Sequence, residues 1–118
     1  MKVIKFSEVE VNDVSEHPIM IGQVNGQPLV DDNTAKELSL SMVTFSPGAK
    51  NIFHAHDREQ ILYIMDGKGI VATEDNEVVV TPGMLVYIPA GEKHWHGAES
   101  DMSFSHLSIL GSPCKTDF

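Results

Sequence analysis

Cysteine is nearly absent: Cys114 is the only one in 118 residues. No internal disulfide can form, and the chain is expected in a reducing compartment, read here as the cytoplasm. Basic residues are also scarce, with 8 Lys and Arg against 17 Asp and Glu and a net charge of −9. So acidic a surface is repelled by phosphate backbones and anionic lipid, which argues against nucleic-acid and membrane partners. No apolar run approaches the ~18 residues of a membrane span. The amino-terminal MKVIKFSEVEV alternates apolar with charged residues instead of forming the apolar centre of a signal peptide. Helical 3.6-residue periodicity, internal repeats and low-complexity tracts are missing as well.

What remains is an ordinary globular composition, 42% hydrophobic and 21% charged. At this length one domain is expected, with roughly two-thirds of the unfolded surface buried in a single core. Leu38 to Phe45 alternates with a period of two and stops at Pro47-Gly48, a turn dipeptide. Further strands are predicted over His54–Met65, Ile70–Thr73, Glu77–Val80, Met84–Ile88, Lys93–Gly97 and Met102–Leu110. The breaks between them carry Gly, Pro, Asn and Asp. Upstream, Val3–Phe6 reads as a short edge strand and Ser7–Pro18 as an outer polar arm with an exposed His17. Ile19–Val24 reads as a strand closed by an Asn25-Gly26 turn, and Gln27–Glu37 as a loop. Short strands recurring near every ten residues predict an all-β sandwich or barrel. On this reading an arm of about residues 1–37 precedes a barrel core of about 38–111.

The chemistry concentrates in histidine. His54 and His56 lie two apart in an extended segment, a spacing of about 6.6 Å on one strand face, so both rings can lean toward a common point. Gln60 follows at the same parity. His94 and His96 repeat the pattern around Trp95, and His106 falls in the last predicted strand, whose inner face is left open. Burying one unpartnered imidazole costs on the order of 1–3 kcal/mol. Five of them in strands are better explained by convergence on a metal ion inside a barrel.

These residues carry a family resemblance. Gly48, His54, His56 and Gly67 match the first cupin motif, G-x5-H-x-H-x3,4-E-x6-G, with Gln60 in the glutamate slot. Gly83, Pro89, Gly91 and His94 match the second, G-x5-P-x-G-x2-H-x3-N, with Ala98 in the asparagine slot. The chain resembles a small single-domain cupin. The resemblance implies a double-stranded β-helix, the jelly-roll barrel of six to eight strands, with a metal ligated by His54, His56, Gln60 and His94. One divalent transition metal per chain is expected, manganese first, with iron, zinc, nickel or cobalt as alternatives. A neutral amide in place of a carboxylate leaves the full +2 on the ion and strengthens it as a Lewis acid. Glu59, of odd parity, is expected on the opposite face.

The tetrad His94 to Gly97, with Gln60 and His106, is similar to the bacterial subset that includes cupin-type hydroxynitrile lyases. That resemblance implies His96 and His106 as catalytic bases in a metal-dependent lyase acting on a small oxygenated substrate. An iron dioxygenase and a non-catalytic metal or ligand-binding module are the alternatives. Small cupins usually pair, so a homodimer is expected. Asp57-Arg58-Glu59 reads as a solvated loop near the mouth of the site.

Overall fold

The computed structural model describes residues 1–118. Regular structure other than strand is limited to one 3-10 turn at Phe6–Glu8. The strands are β1 Asn12–Asp13, β2 Met20–Ile21, β3 Val24–Val30, β4 Leu38–Phe45, β5 Lys50–Asn51, β6 Ala55–His56 and β7 Gln60–Gly67. They continue with β8 Gly69–Thr73, β9 Glu77–Val80, β10 Leu85–Ile88, β11 His94–Ala98, β12 Phe104–Gly111 and β13 Thr116–Asp117. Eight of them have four or more residues, within the six to eight implied for the barrel.

Two antiparallel sheets enclose the interior. One has the order β1-β3-β4-β12-β7-β10 and the other β2-β5-β11-β8-β9, while β6 and β13 form a separate pair. Alternation decides what each strand sends inward. On β7, Gln60, Leu62 and Ile64 are buried while Tyr63 and Met65 are exposed. On β12, Phe104 and His106 are buried. From the opposite sheet come Val71, His94 and His96. An apolar cluster including Val24, Phe45, Leu62, Ile64, Val80, Ile88 and Phe104 fills one part of the barrel. The histidines continue that core: the Phe45 ring lies 5.7 Å from both His96 and His106 between centroids.

Two glycines are required by this packing. At Gly97, a Cβ would lie 2.3 Å from Lys50 Cβ and 2.6 Å from the Ala49 carbonyl, so only glycine lets β5 pair with β11 there. Gly67 has φ 76° and a Cβ there would meet Ser103 O at 1.9 Å, which suits a residue without a side chain where the chain leaves one sheet for the other.

Several sequence expectations change. Val3–Phe6 forms no strand, and Phe6 opens the 3-10 turn instead. Asn25-Gly26 is not a turn but lies inside β3, where pairing with β4 from Val24 to Val30 supplies a ladder that outweighs local turn preference. The positive-φ turn sits earlier, at Gly22. Accordingly, the first residues assigned to the Gln27–Glu37 loop belong to β3. His54–Met65 is likewise not one strand. Beyond β6 the chain bends through Asp57–Glu59 before β7 begins at Gln60. Asp57 is held there by the C-terminal segment, its N–H donating to Lys115 O at 3.1 Å and its Oδ1 accepting from Lys115 N at 2.8 Å.

Candidate metal centre

Five histidines are buried: His54, His56, His94, His96 and His106. His17 is exposed, as the sequence predicts. His94 and His96 are carried inward by β11, and His54 is fixed to it by a two-bond bridge, His54 N to His94 O at 3.0 Å and His94 N to His54 O at 2.9 Å. His56 comes from β6. One ring nitrogen of each of His54, His56 and His94 lies within 4.8 Å of the others, a grouping able to hold a metal ion.

The outer nitrogens of these rings are committed. His54 Nδ1 donates to Ile52 O and His94 Nδ1 to Glu92 O, both at 2.8 Å. A carbonyl only accepts, so each ring carries its proton on Nδ1 and keeps the Nε2 lone pair free, the tautomer a metal ligand needs. His56 Nδ1 lies 2.9 Å from Thr116 Oγ1. Burial holds the His54 and His56 imidazoles down to about 4 and lowers His94 as well, so all three are neutral at pH 7.

Two buried atoms test whether a cation fits this set. His94 Nε2 and Gln60 Oε1 have no hydrogen-bond partner. Leaving such atoms unsatisfied is costly, and both are lone-pair donors of the kind a divalent ion takes. Gln60 Nε2 donates to Ser108 Oγ at 2.9 Å, which leaves its carbonyl oxygen as the free end. The donor set therefore fits a divalent transition metal. Glu59 is exposed and accepts a hydrogen bond from Tyr87 OH, on the face its parity predicts.

Behind this group lies a second array. His106 Nε2 is 3.0 Å from His96 Nδ1, in the interior of the barrel. Asn51 clasps His96 from β5, its Oδ1 accepting from His96 N at 2.9 Å and its Nδ2 lying 3.4 Å from His96 Nε2. That orientation of the amide makes His96 Nε2 the acceptor, so Nδ1–H points to His106. Burial drives His96 well below the usual imidazole range and His106 to about 4. Asn51, Ser108 and Thr116 had no role assigned from sequence. Asn51 sits only three residues before His54, but its partner His96 is 45 residues away, and Ser108 and Thr116 are as remote from theirs. Over His54 a cavity of about 260 Å³ opens between Phe53, Lys93, Asp117 and Phe118.

A closed β scaffold with a three-histidine group inside one end is the architecture of a metal-binding barrel protein. Residues 41–110 match the model of the cupin domain, and the chain belongs to the cupin family. It is 36% identical over 89 residues to (R)-mandelonitrile lyase of Granulicella tundricola, covering 75% of this chain and 68% of that protein. It is 28% identical over 64 residues to acireductone dioxygenase of a Sulfurihydrogenibium species, which spans 51% of this chain but only 36% of that enzyme. Among solved structures, a cupin-like protein from Thermotoga maritima superposes with a TM-score of 0.79 at 26% identity, covering 98% of this chain and 87% of that one.

Proposed function

We propose that this chain is a divalent-metal-dependent lyase that cleaves a small cyanohydrin. The carrying observation is the pairing of the His54, His56 and His94 group with a separate, buried His96–His106 contact. Similarity to a mandelonitrile lyase supports the reaction class. On this reading His54, His56, His94 and Gln60 hold the ion, with manganese the first choice and iron, zinc, nickel or cobalt the alternatives. The ion supplies Lewis-acid polarisation of a substrate oxygen. Phe53 and Phe118, flanking the opening above His54, suit the apolar substituent of the substrate.

The chain's own groups move the proton. His96 takes the hydroxyl proton at Nε2, giving up the 3.4 Å contact from Asn51 Nδ2 to do so. The carbon–carbon bond then breaks, cyanide leaves with its electron pair, and the carbonyl forms. His96 returns the proton to cyanide. While His96 is charged, its Nδ1–H is held by His106 Nε2 at 3.0 Å, which spreads the charge over a second ring. Asn51 Oδ1 keeps the His96 backbone N–H in place throughout.

The protein is proposed to work as a homodimer in the cytoplasm, for which a single cysteine is suited. A second copy would cover the outer face of β7 and β10, where Tyr63, Met65, Leu85 and Tyr87 are exposed. The test is metal analysis of protein purified without a chelating tag, followed by cyanide release from (R)- and (S)-mandelonitrile. About one equivalent of metal per chain and turnover lost in His54→Ala are expected. Metal-loaded protein that releases no cyanide from either would overturn the lyase reading.

Similarity to a dioxygenase favours a second reading, in which the same histidines hold iron. That reading requires oxygen uptake, measured with the iron-loaded protein. Bound metal with neither cyanide release nor oxygen uptake would instead identify a binding module.

A further inference from the structure

His56 differs from the other two members of the histidine group in how it is supported. His54 and His94 brace one another through a backbone bridge, and their Nδ1 atoms are locked by carbonyls of their own segments, Ile52 and Glu92. His56 stands on β6, whose strand partner is β13. Apart from the Gly91 N–H bonded to its carbonyl, its hydrogen-bonded support comes from the C-terminal segment. Thr116 pairs with it in register, and Thr116 Oγ1 lies 2.9 Å from its Nδ1.

That segment is itself tied down by the bend after β6. Arg58 Nη1 donates to Ser112 O at 2.8 Å and Pro113 O at 3.2 Å. Asp57 exchanges two bonds with the Lys115 backbone. Asp57 and Arg58 are therefore not a free solvated loop but the clamp for residues 112–116. From there the chain passes to Asp117 and Phe118 at the opening over His54.

We propose that Thr116 is a positioning residue for His56, and that the strap from Ser112 to Phe118, clamped by Asp57 and Arg58, completes the three-histidine group. The inference rests on the metal-site reading above. Thr116 Oγ1 accepts a hydrogen bond from His56 Nδ1–H, as carbonyls do for His54 and His94, and so leaves the Nε2 lone pair facing the same point. An outer partner of this kind typically affects metal affinity 10- to 100-fold. Valine at this position keeps the β-branched shape and the backbone pairing but removes the acceptor.

Two measurements on the full chain test it. Competition of Mn²⁺ against a chelator should show affinity about 10- to 100-fold weaker in Thr116→Val and restored in Thr116→Ser, with the thermal midpoint of the metal-free proteins unchanged. Independently, long-range proton–nitrogen correlation spectra of the metal-free protein should show His56 with its proton on Nδ1, shifting to a mixture of tautomers in Thr116→Val. An unchanged tautomer ratio in the valine variant would overturn the inference, as would unchanged Mn²⁺ affinity in a parent that binds the ion. A parent that binds no Mn²⁺ but shows the tautomer shift would sink the manganese reading alone.

Discussion

His106 Nε2 lies 3.0 Å from His96 Nδ1 with both rings sealed inside the barrel, ten residues apart in sequence and carried by different sheets. His96 is the nearer to the three-histidine group, its ring 5.7 Å from those of both His54 and His94. His106 backs it from the side of Phe45 and Phe104. The pair thus joins the metal group to the apolar core.

If this pair handles the proton, His106→Phe should leave metal content unchanged, because His106 is outside the three-histidine group. Turnover of mandelonitrile should fall by about 10²- to 10⁴-fold, the usual share of acid–base catalysis. Parallel metal analysis and cyanide-release assays check both. Full activity in the variant would remove His106 from the mechanism.

Gln60→Glu restores the carboxylate found in the family motif. It should tighten divalent-metal binding while lowering turnover, because a bound carboxylate cancels one unit of the charge that polarises substrate. It also exchanges the amide donor to Ser108 Oγ for an acceptor. Chelator competition and kcat measured on one preparation test the opposing directions. Weaker metal binding by the glutamate variant would contradict the role given to Gln60.

The metal-free protein should lose stability in acid over a defined window. His54, His56 and His106 are held to about 4 by burial, against about 6.5 in the unfolded chain. Because the folded values are the lower ones, the unfolded chain takes up protons first as pH falls. These rings leave stability unaffected above about pH 6.5, and the loss accumulates down to about pH 4. Each ring then adds up to about 1.4 kcal/mol per pH unit to the slope. Thermal unfolding from pH 7.5 to 4 measures this, and a midpoint flat across the window would show the rings charged in the folded state.

Leu85 and Tyr63 face each other across β10 and β7, with Tyr87 opposite Ile61 beside them. Light scattering at micromolar concentration should give twice the chain mass of 13.0 kDa, and Leu85→Lys with Tyr87→Lys should convert it to the monomer. A monomeric parent would reject the dimer.

The strands after Leu38 were legible because alternation and turn residues agree there. Leu38–Phe45 is β4 as read, and Gly83 and Gly91 take the positive φ their turns need. Upstream of Leu38 the local signals misled, since Asn25-Gly26 was absorbed into a ladder with a strand whose contribution no local pattern reports. His106 was undecidable from alternation alone. Between β12 and β7 the register shifts at Ser105/His106, so Asp66 pairs with Ser105 but Ile64 with His106 and Met65 is the extra residue. The extra residue belongs to β7, so β12 keeps its alternation and sends His106 to the same inner face as Phe104, a choice made by its pairing with β4 and β7.

The chain by itself determined that imidazoles would recur two apart on strands, that glycine and proline would punctuate those strands, and that a glutamine would stand where the family carries a carboxylate. Those are properties of neighbours in sequence, set by the two-residue repeat of an extended backbone. Only the tertiary structure decided that Asn51 clasps His96, that Ser108 orients Gln60, that Thr116 stands behind His56, and that His106 turns inward to meet His96. Three of those contacts join residues 45, 48 and 60 apart, and the fourth joins strands of different sheets. They exist because strand pairing across the barrel brings distant segments within hydrogen-bond reach, and no local pattern encodes which segments those will be.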